Sequence, residues 1–435
     1  MPAQRSSSAV AVSATVLLWV GFVVVHLWVS WLAIHGPHLP LGDVVNQYHG
    51  WVADGLAGNG WVGLDRVWVY PTLALAPLLF SAALGLAAYV HVWLVLVAVL
   101  DAVAFAVLTR GGTRRRALGW WWLAFLVLLG PIAVGRLDSI TVPIALVGLL
   151  LVSRRPALAA VLLTVGTWIK VWPVALVGAV LISERRWMRI LVSVLATSVA
   201  VVLLAFVFGG TSAAIFGFVG QQTSRGLQVE APVSTWWLWL EALHVPGVST
   251  QYDVAINTFQ IHGPGTVVAA AVMTPVQLVI LVGVVLLGWR ARHRGVPSTS
   301  ILGPLALGLT AALIVGNKVG SPQYVTWLAV VVLAGFVLAR DGGPSFVLPG
   351  VLTLAIAGLT QVVYPFHYDG LLLAHPGMVL VITLRNALLV ALLVVAAVQL
   401  WRLDGRRLDG PRLDGPRADR PRGRSAGATS APVGG

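Results

Sequence analysis

Long apolar stretches, almost free of charge, alternate along this chain with short arginine clusters, and that alternation leaves it few ways to fold. A run of about 17–25 apolar residues is long enough to cross a hydrocarbon layer as a helix, in which every backbone amide and carbonyl finds its partner within the segment. Runs of this length, or a little shorter at 139–153 and 325–339, fall at residues 10–34, 86–109, 117–134, 139–153, 190–208, 266–289, 300–316, 325–339, 346–363 and 378–400. Charged residues make up only 10% of the chain, against roughly 25% in soluble domains. The expectation is an all-α polytopic membrane protein.

The arginines orient the threading. Arg110 with Arg114 to Arg116, Arg154 and Arg155, Arg185, Arg186 and Arg189, Arg290, Arg292 and Arg294, Arg340, and the tail from Arg402 can all lie on one side of the bilayer. Basic loops stay cytoplasmic, so both termini are expected there. The extracytoplasmic side then carries four loops, residues 35–72, 209–265, 317–324 and 364–377. Residues 73–85 are apolar but fit no crossing, which predicts a helix at the membrane edge. Residues 157–183 begin and end at arginine clusters and contain TWIKVWP, residues 167–173. Two short helices broken between Lys170 and Pro173 satisfy both ends, and broken helices in membranes line polar cavities. About ten to twelve spans result, in a plasma-membrane protein surrounded by membrane lipids.

The net charge of +13 does not indicate a nucleic-acid partner, because the arginines sit between apolar runs and in the tail rather than on a folded basic domain. The chain divides into a cytoplasmic N-terminus (1–9), a membrane domain (10–400) and a basic cytoplasmic tail (401–435). That tail repeats RLDG at Arg402, Arg407 and Arg412, cannot bury a core and is expected to be disordered. The absence of cysteine excludes disulfides and thiolate metal sites.

Few carboxylates remain for chemistry. Of 15 acidic residues, Asp404, Asp409, Asp414 and Asp419 lie in the tail, and Asp101, Glu184 and Asp341 fall inside a span or on the arginine side. Every other acid maps to the outer side. Asp43 is one of those placed at a span exit, in LGDVVNQYHGW (41–51) with Tyr48. Chemistry on a lipid-linked substrate needs its base at headgroup depth, so Asp43 is the candidate catalytic residue.

Cations are as informative. Lys170 and Lys318 are the only lysines, and a cation in or beside a membrane segment is expensive and usually functional. Lys318 lies in GNKVGSPQY (316–324), where glycines and a proline break the helix and backbone plus charge suit phosphate binding. For Lys170, phosphate contact, internal ion pairing and a structural cap remain open. Arg225, in QQTSRGLQVEAPVSTWW (221–237), is a third candidate cation, and the tryptophans after it read as interfacial anchors. The ten histidines show no HExxH spacing, and FHYDG (366–370), which places His367 beside Asp369, is weak evidence for a metal. No phosphate-cradling glycine loop or nucleophile elbow occurs in a suitable context, and neither a metal nor a cofactor is expected.

An outer-loop Asp after the first span, Tyr70-Pro71 closing that loop, GRLDS opening a span at 135–139, TWIKVWP, SRGLQVEAP and KVGSPQYVTWL occur in this order. In this order they resemble the membrane glycosyltransferases of the GT-C superfamily, specifically glycosyltransferase family 87, over roughly residues 10–400. That family includes polyprenyl-phosphate-mannose-dependent mannosyltransferases and related arabinofuranosyltransferases. The resemblance implies a GT-C-like helix bundle with outer-face loops, a polyprenyl-phosphate sugar donor and a glycolipid or glycan acceptor. It also implies that Asp43 is the base, that Lys170 and Lys318 match the family's cations, and that Tyr324 lies in its SPQY-type stretch. Arg136 and Asp138 depart from the family, which commonly carries Gln and Asn there. They are expected to pair with each other or to alter donor or acceptor choice.

The expected reaction is a single inverting displacement, in which Asp43 takes the proton of the incoming hydroxyl while Arg225, Lys318 or Lys170 stabilises the departing lipid phosphate. A second class of function, secondary transport, also uses broken helices. The long polar outer loops and the lack of an internal repeat argue against it.

Overall fold

The computed structural model describes residues 2–222, 225–254 and 256–403, so all but the first three residues of the expected tail lie outside it. Helix α1 (Pro2–His35) starts earlier than the apolar run predicts, and its candidate span is Ser13–His35. A π-helical turn over Asp43–Tyr48 leads directly into α2 (His49–Leu56). Helix α3 (Leu75–Ser81) occupies the stretch read as a membrane-edge helix. Helices α4 (Tyr89–Thr109) and α5 (Thr113–Leu129) follow as a long antiparallel pair around the first arginine turn. Three short helices come next, α6 (Asp138–Leu151), α7 (Pro156–Ile169) and α8 (Val174–Ser183), and then α9 (Trp187–Val207).

The second outer loop is structured. It holds α10 (Ser212–Phe216), α11 (Thr235–Ala242) and an antiparallel hairpin of β1 (Ser249–Asp253) and β2 (Thr258–His262), in register with Tyr252 opposite Phe259. Helices α12 (Thr266–His293), α13 (Ser298–Val315), α14 (Val325–Ala339), α15 (Val347–Gln361), α16 (Tyr368–Leu372) and α17 (Pro376–Arg402) complete the described chain. Nine helices among the described residues are long and apolar enough to cross a membrane. The protein is an all-α polytopic membrane protein.

Packing follows residue size. In lipid, helices gain nothing by hiding apolar surface from hydrocarbon, so association relies on close contact at small residues. Helices α13 and α14 are buried along almost their whole length, and a Cβ on Gly335 of α14 would collide with Phe346 at 2.2 Å. Another on Gly308 of α13 would meet Val284 of α12 at 2.9 Å. Helices α9 and α12 expose most of their apolar surface and form the periphery.

The arginine turns gather at one end of the bundle. Arg292 Nη1 donates to the carbonyls of Leu181 (3.0 Å) and Ile182 (2.6 Å) at the end of α8, and Arg290 Nη2 to that of Leu400 (3.4 Å) near the end of α17. Arg115 lies beside Arg154, Arg340 and Asp341. Helix lengths then fix a depth. At about 1.5 Å per residue, α4 and α9 span roughly 32 Å, enough for the hydrocarbon layer of about 30 Å. From the same end α6 and α7 reach only about 21 Å and α8 about 15 Å. Asp138 and the Lys170–Pro173 break therefore lie at the floor of a recess in the opposite face.

Candidate active site

Helix α7 stops at Ile169, and Lys170 is extended (φ −148°, ψ 136°). Pro173 makes the stop unavoidable, because its ring disfavours helical geometry at the preceding residue, Trp172, and it has no amide proton to give. The break turns Lys170 toward the start of α6. Its Nζ donates to Asp138 Oδ2 at 2.6 Å, while Trp327 Nε1 donates to Asp138 Oδ1 at 2.6 Å. Both oxygens of a fully buried carboxylate are thus engaged. The Trp327 ring stacks on Trp172 (5.3 Å, 7°) and on Tyr324 (4.2 Å, 27°), and Lys170 lies 5.2 Å from the centre of the Tyr70 ring.

Tyr70, Lys170, Trp172, Tyr324 and Trp327 line a cavity of about 310 Å³, which Arg225 and Lys318 also line. The two cations come from separate loops that dock as one unit. The Gln228 amide donates to Lys318 O (3.0 Å), and its side-chain Oε1 accepts from Gly320 N and Ser321 Oγ, both at 3.1 Å. Gly320 is required here, since a Cβ would stand 2.3 Å from the Ala231 nitrogen. The buried Arg225 Nε has no hydrogen-bond partner among the described residues. Burial, and then Arg225, pushes the Lys318 ammonium below the usual lysine range. On the α12 side the cavity is edged by exposed Thr274 and by Gln277.

Asp43 sits on the other side of Tyr70. Its Oδ2 is 3.1 Å from Arg136 Nε and 3.5 Å from the Tyr48 hydroxyl. Arg136 is fixed in turn by the carbonyls of Pro40 (2.6 Å) and Gly135 (2.8 Å). The Tyr48 hydroxyl accepts from Leu137 N at 3.3 Å and interacts with Tyr70, whose ring is 6.4 Å away. Burial, each other and Asp43 push Tyr48 well above the usual phenol range; burial, opposed by Lys170, raises Tyr70 as well. Both phenols keep their protons and can relay a hydrogen bond from Asp43 to the cavity wall.

Lys170, Arg225, Lys318 and Tyr324 therefore share one cavity, Asp138 lies directly behind it, and Asp43, Tyr48 and Arg136 form the adjoining cluster. Arg136 and Asp138 do not pair with each other, as expected on one reading. Two residues apart at the start of a helix, they face different neighbours, Arg136 meeting Asp43 and Asp138 meeting Lys170. His367 and Asp369 do not face each other either. His367 Nδ1 contacts Val362 O, and Asp369 instead meets His38 at 3.0 Å. Among the described residues no three His, Asp or Glu side chains gather as metal ligands.

Sequence reasoning missed Trp327 and Trp172, whose only signal was their nearness to SPQY and WIK. It also missed a buried cluster beneath the cationic loops. Tyr368 donates to Glu230 Oε1 (2.9 Å), and Arg385 of α17 donates to the carbonyls of Glu230 (2.9 Å) and Gly320 (3.3 Å). Burial raises the Glu230 carboxyl, against the Tyr368 hydrogen bond. An arginine in the middle of an apolar run was the available clue.

Glycosyltransferase family 87 is the family whose model matches the chain, over residues 68–316, more than half of its length. The matched region holds Tyr70, Arg136, Asp138, Lys170 and Arg225, whereas Asp43, Tyr48, Lys318 and Tyr324 lie outside it. No curated protein and no solved structure matches the chain.

Proposed function

We propose, from the premise that this chain belongs to glycosyltransferase family 87, that it transfers mannose from a polyprenyl-phosphate donor to a cell-envelope glycolipid or glycan. The reaction takes place on the extracytoplasmic side, opposite the arginine-rich end. The observation that carries this reading is the order of groups across the recess. A carboxylate with one oxygen still available stands at one side, aromatic rings line the middle, and the Arg225–Lys318 pair closes the other side.

The chemistry follows from that order. The acceptor hydroxyl attacks the anomeric carbon as its proton passes to Asp43 Oδ1, while Arg136 holds Oδ2 and fixes the direction of the other lone pairs. The bond from the anomeric carbon to the phosphate oxygen breaks on the opposite face, which inverts the configuration. Negative charge then grows on the lipid phosphate, where preorganised cations stabilise it most in a site shielded from water. Arg225 offers an unpartnered buried Nε and Lys318 a neighbouring charge. Lys170 has its charge balanced by Asp138, so its role is to hold the floor of the cavity. Tyr324, backed by Trp327, offers a ring face for the sugar.

The test uses the purified protein in lipid nanodiscs with radiolabelled polyprenyl-phosphate mannose and an envelope glycolipid extract. Label should move from the lipid phosphate to a glycolipid, and a strain lacking the protein should lack that product by mass spectrometry. Transfer from a nucleotide sugar instead of the lipid donor overturns the reading. A deletion strain missing an arabinofuranosyl residue overturns the choice of mannose.

A further inference from the structure

Only residues 36–42 join the end of α1 to the π-helical turn that begins at Asp43. Two of them, His38 and Leu39, are in the left-handed region, with φ of +57° and +50°. Residues other than glycine hold that conformation at a cost, and two in succession persist only where surrounding contacts enforce them. The reversal of the chain that they make is used at once. Leu39 O accepts from Gly42 N at 2.7 Å, which closes a turn immediately before Asp43. Pro40 O is left facing Arg136, whose Nη1 donates to it at 2.6 Å while Nε holds Asp43 Oδ2 at 3.1 Å. The approach is so close that a Cβ on Gly135 would stand 2.5 Å from Pro40 O.

What enforces the reversal comes from the fourth outer loop, which grips His38 by ring and backbone alike. Nδ1 of the ring is 2.6 Å from Pro365 O, which can only accept, so this nitrogen carries the proton that it donates. Nε2 meets Asp369 Oδ1 at 3.0 Å. The hydroxyl of buried Tyr364 donates to His38 O at 3.1 Å and is shared with Leu39 O at 3.4 Å. Tyr364 interacts with Arg136 as well. Neither His38 nor Tyr364 lines the cavity that holds Arg225 and Lys318. Their route to the reaction runs through residues 38–40 and Arg136 to Asp43.

We infer that His38 is a positioning residue for the base: fastened by Tyr364, Pro365 and Asp369, it holds the turn from which Pro40 and Arg136 aim Asp43. The inference rests on Asp43 acting as the base, as proposed above. It adds that the direction of that carboxylate is set by a loop 326 residues further along the chain.

The test follows transfer of label from radiolabelled polyprenyl-phosphate mannose in nanodiscs, with kcat and donor KM determined separately. Two variants loosen the turn from different sides. His38→Asn removes both bonds of the ring but keeps a residue that tolerates the left-handed region, and Tyr364→Phe removes one hydroxyl while keeping the ring's packing. Each should lower kcat by about tenfold or more and leave the donor KM within about threefold, since a reacting group misplaced by about 1 Å costs up to roughly 10²-fold while the cationic wall is untouched. The decisive arm repeats both changes in the Asp43→Asn background. With no base left to aim, each should alter the residual kcat by less than about twofold, because groups that act as a unit do not lose activity additively. Losses that multiply in that background mark a general loosening of the fold and overturn the inference. So does wild-type kcat in either single variant, or a raised donor KM with kcat kept. Should both variants fail to fold, as judged by melting, Asp369→Ala at an exposed carboxylate decides the matter. A fall in kcat of about threefold, the scale of an exposed ion pair, confined to chains that retain Asp43 supports the inference, and no fall overturns it. Wild-type turnover by Asp43→Asn itself sinks the base assignment beneath the inference, whatever the His38 variants do.

Discussion

Asp138→Asn is the most discriminating perturbation of the recess floor. Asp138 and Lys170 side chains are 1% and 12% exposed, and they meet at 2.6 Å. Replacing the carboxylate by an amide preserves an acceptor for Trp327 Nε1 but leaves the Lys170 ammonium beside little more than the Tyr70 ring. Breaking a buried ion pair by removing one partner costs about 3–5 kcal/mol, because the survivor stays uncompensated away from water. Lys170→Met should cost a similar amount, since it strands the carboxylate. The double variant Asp138→Asn/Lys170→Met strands neither charge, so its loss should fall short of the sum by at least about 2 kcal/mol. The assay is reversible unfolding by sodium dodecyl sulfate in bicelles, followed by tryptophan fluorescence and evaluated as a double-mutant cycle. Additivity within about 0.5 kcal/mol refutes the coupling. A second readout ties the pair to function. If Lys170 is structural, the double variant keeps the donor KM within about threefold, well under the loss of a charged hydrogen bond. A donor KM that rises with Lys170→Met as steeply as with loss of Arg225 refutes the division of labour among the cations.

Other expectations concern the base, the cationic wall and the loop junction. Asp43→Asn should lower kcat by about 10²-fold or more, the scale of general-base catalysis, with donor KM largely kept; turnover like wild type removes Asp43 from the mechanism. Because burial and Arg225 hold the Lys318 ammonium below the usual lysine range, the protonated form that attracts phosphate is lost at lower pH than that of an ordinary lysine. The donor KM should therefore climb at lower pH than for an ordinary lysine of pKa about 10.4, and Lys318→Arg should flatten that climb. A wild-type KM that stays level beyond that range contradicts the assignment. Gly320→Ala forces a Cβ against the Ala231 backbone and should cost about 1–3 kcal/mol by overpacking, with a raised donor KM because Arg225 and Lys318 move apart. Unchanged kinetics would show that the docking of the two loops does not set the cation spacing.

Much of this architecture is written in one-dimensional pattern. Apolar length located nine of the ten expected spans, the stretch 139–153 forming only the shorter helix α6, and the run between two arginine clusters demanded the break at Lys170–Pro173 that the structure contains. Site residues were legible where composition makes them rare, as with two lysines and a handful of acids. Pairing was not legible, because it depends on where side chains at the ends of different helices meet. Arg136 and Asp138 are neighbours in sequence, yet each bonds to a residue far along the chain, at positions 43 and 170. The structure inside the second outer loop was also hidden. Its hairpin is only five residues per strand, and its short helices carry no period long enough to stand out from a polar loop.

On the proposed reaction, charge balance bears on which cation would meet the phosphate. Lys170, Arg225 and Lys318 line the cavity with Arg136 close by, and a cation already paired tightly with a carboxylate stabilises an anionic leaving group less. Arg136 faces Asp43 at 3.1 Å and Lys170 faces Asp138 at 2.6 Å. Each pair presents a dipole to the cavity, not a net charge. Arg225 and Lys318 repel each other, and that repulsion is one cause of the lowered Lys318 pKa. Such repulsion is relieved when an anion enters between like charges, so binding a phosphate there gains twice, by attraction to each cation and by screening one from the other. The division also explains why the two families of loops are fastened separately. Gly320 and Gln228 fix the spacing of the cations, whereas Pro40 and Gly135 fix Arg136 and through it the base. On the proposed reaction, a sugar held between the two assemblies would be attacked from the side of one and released toward the other.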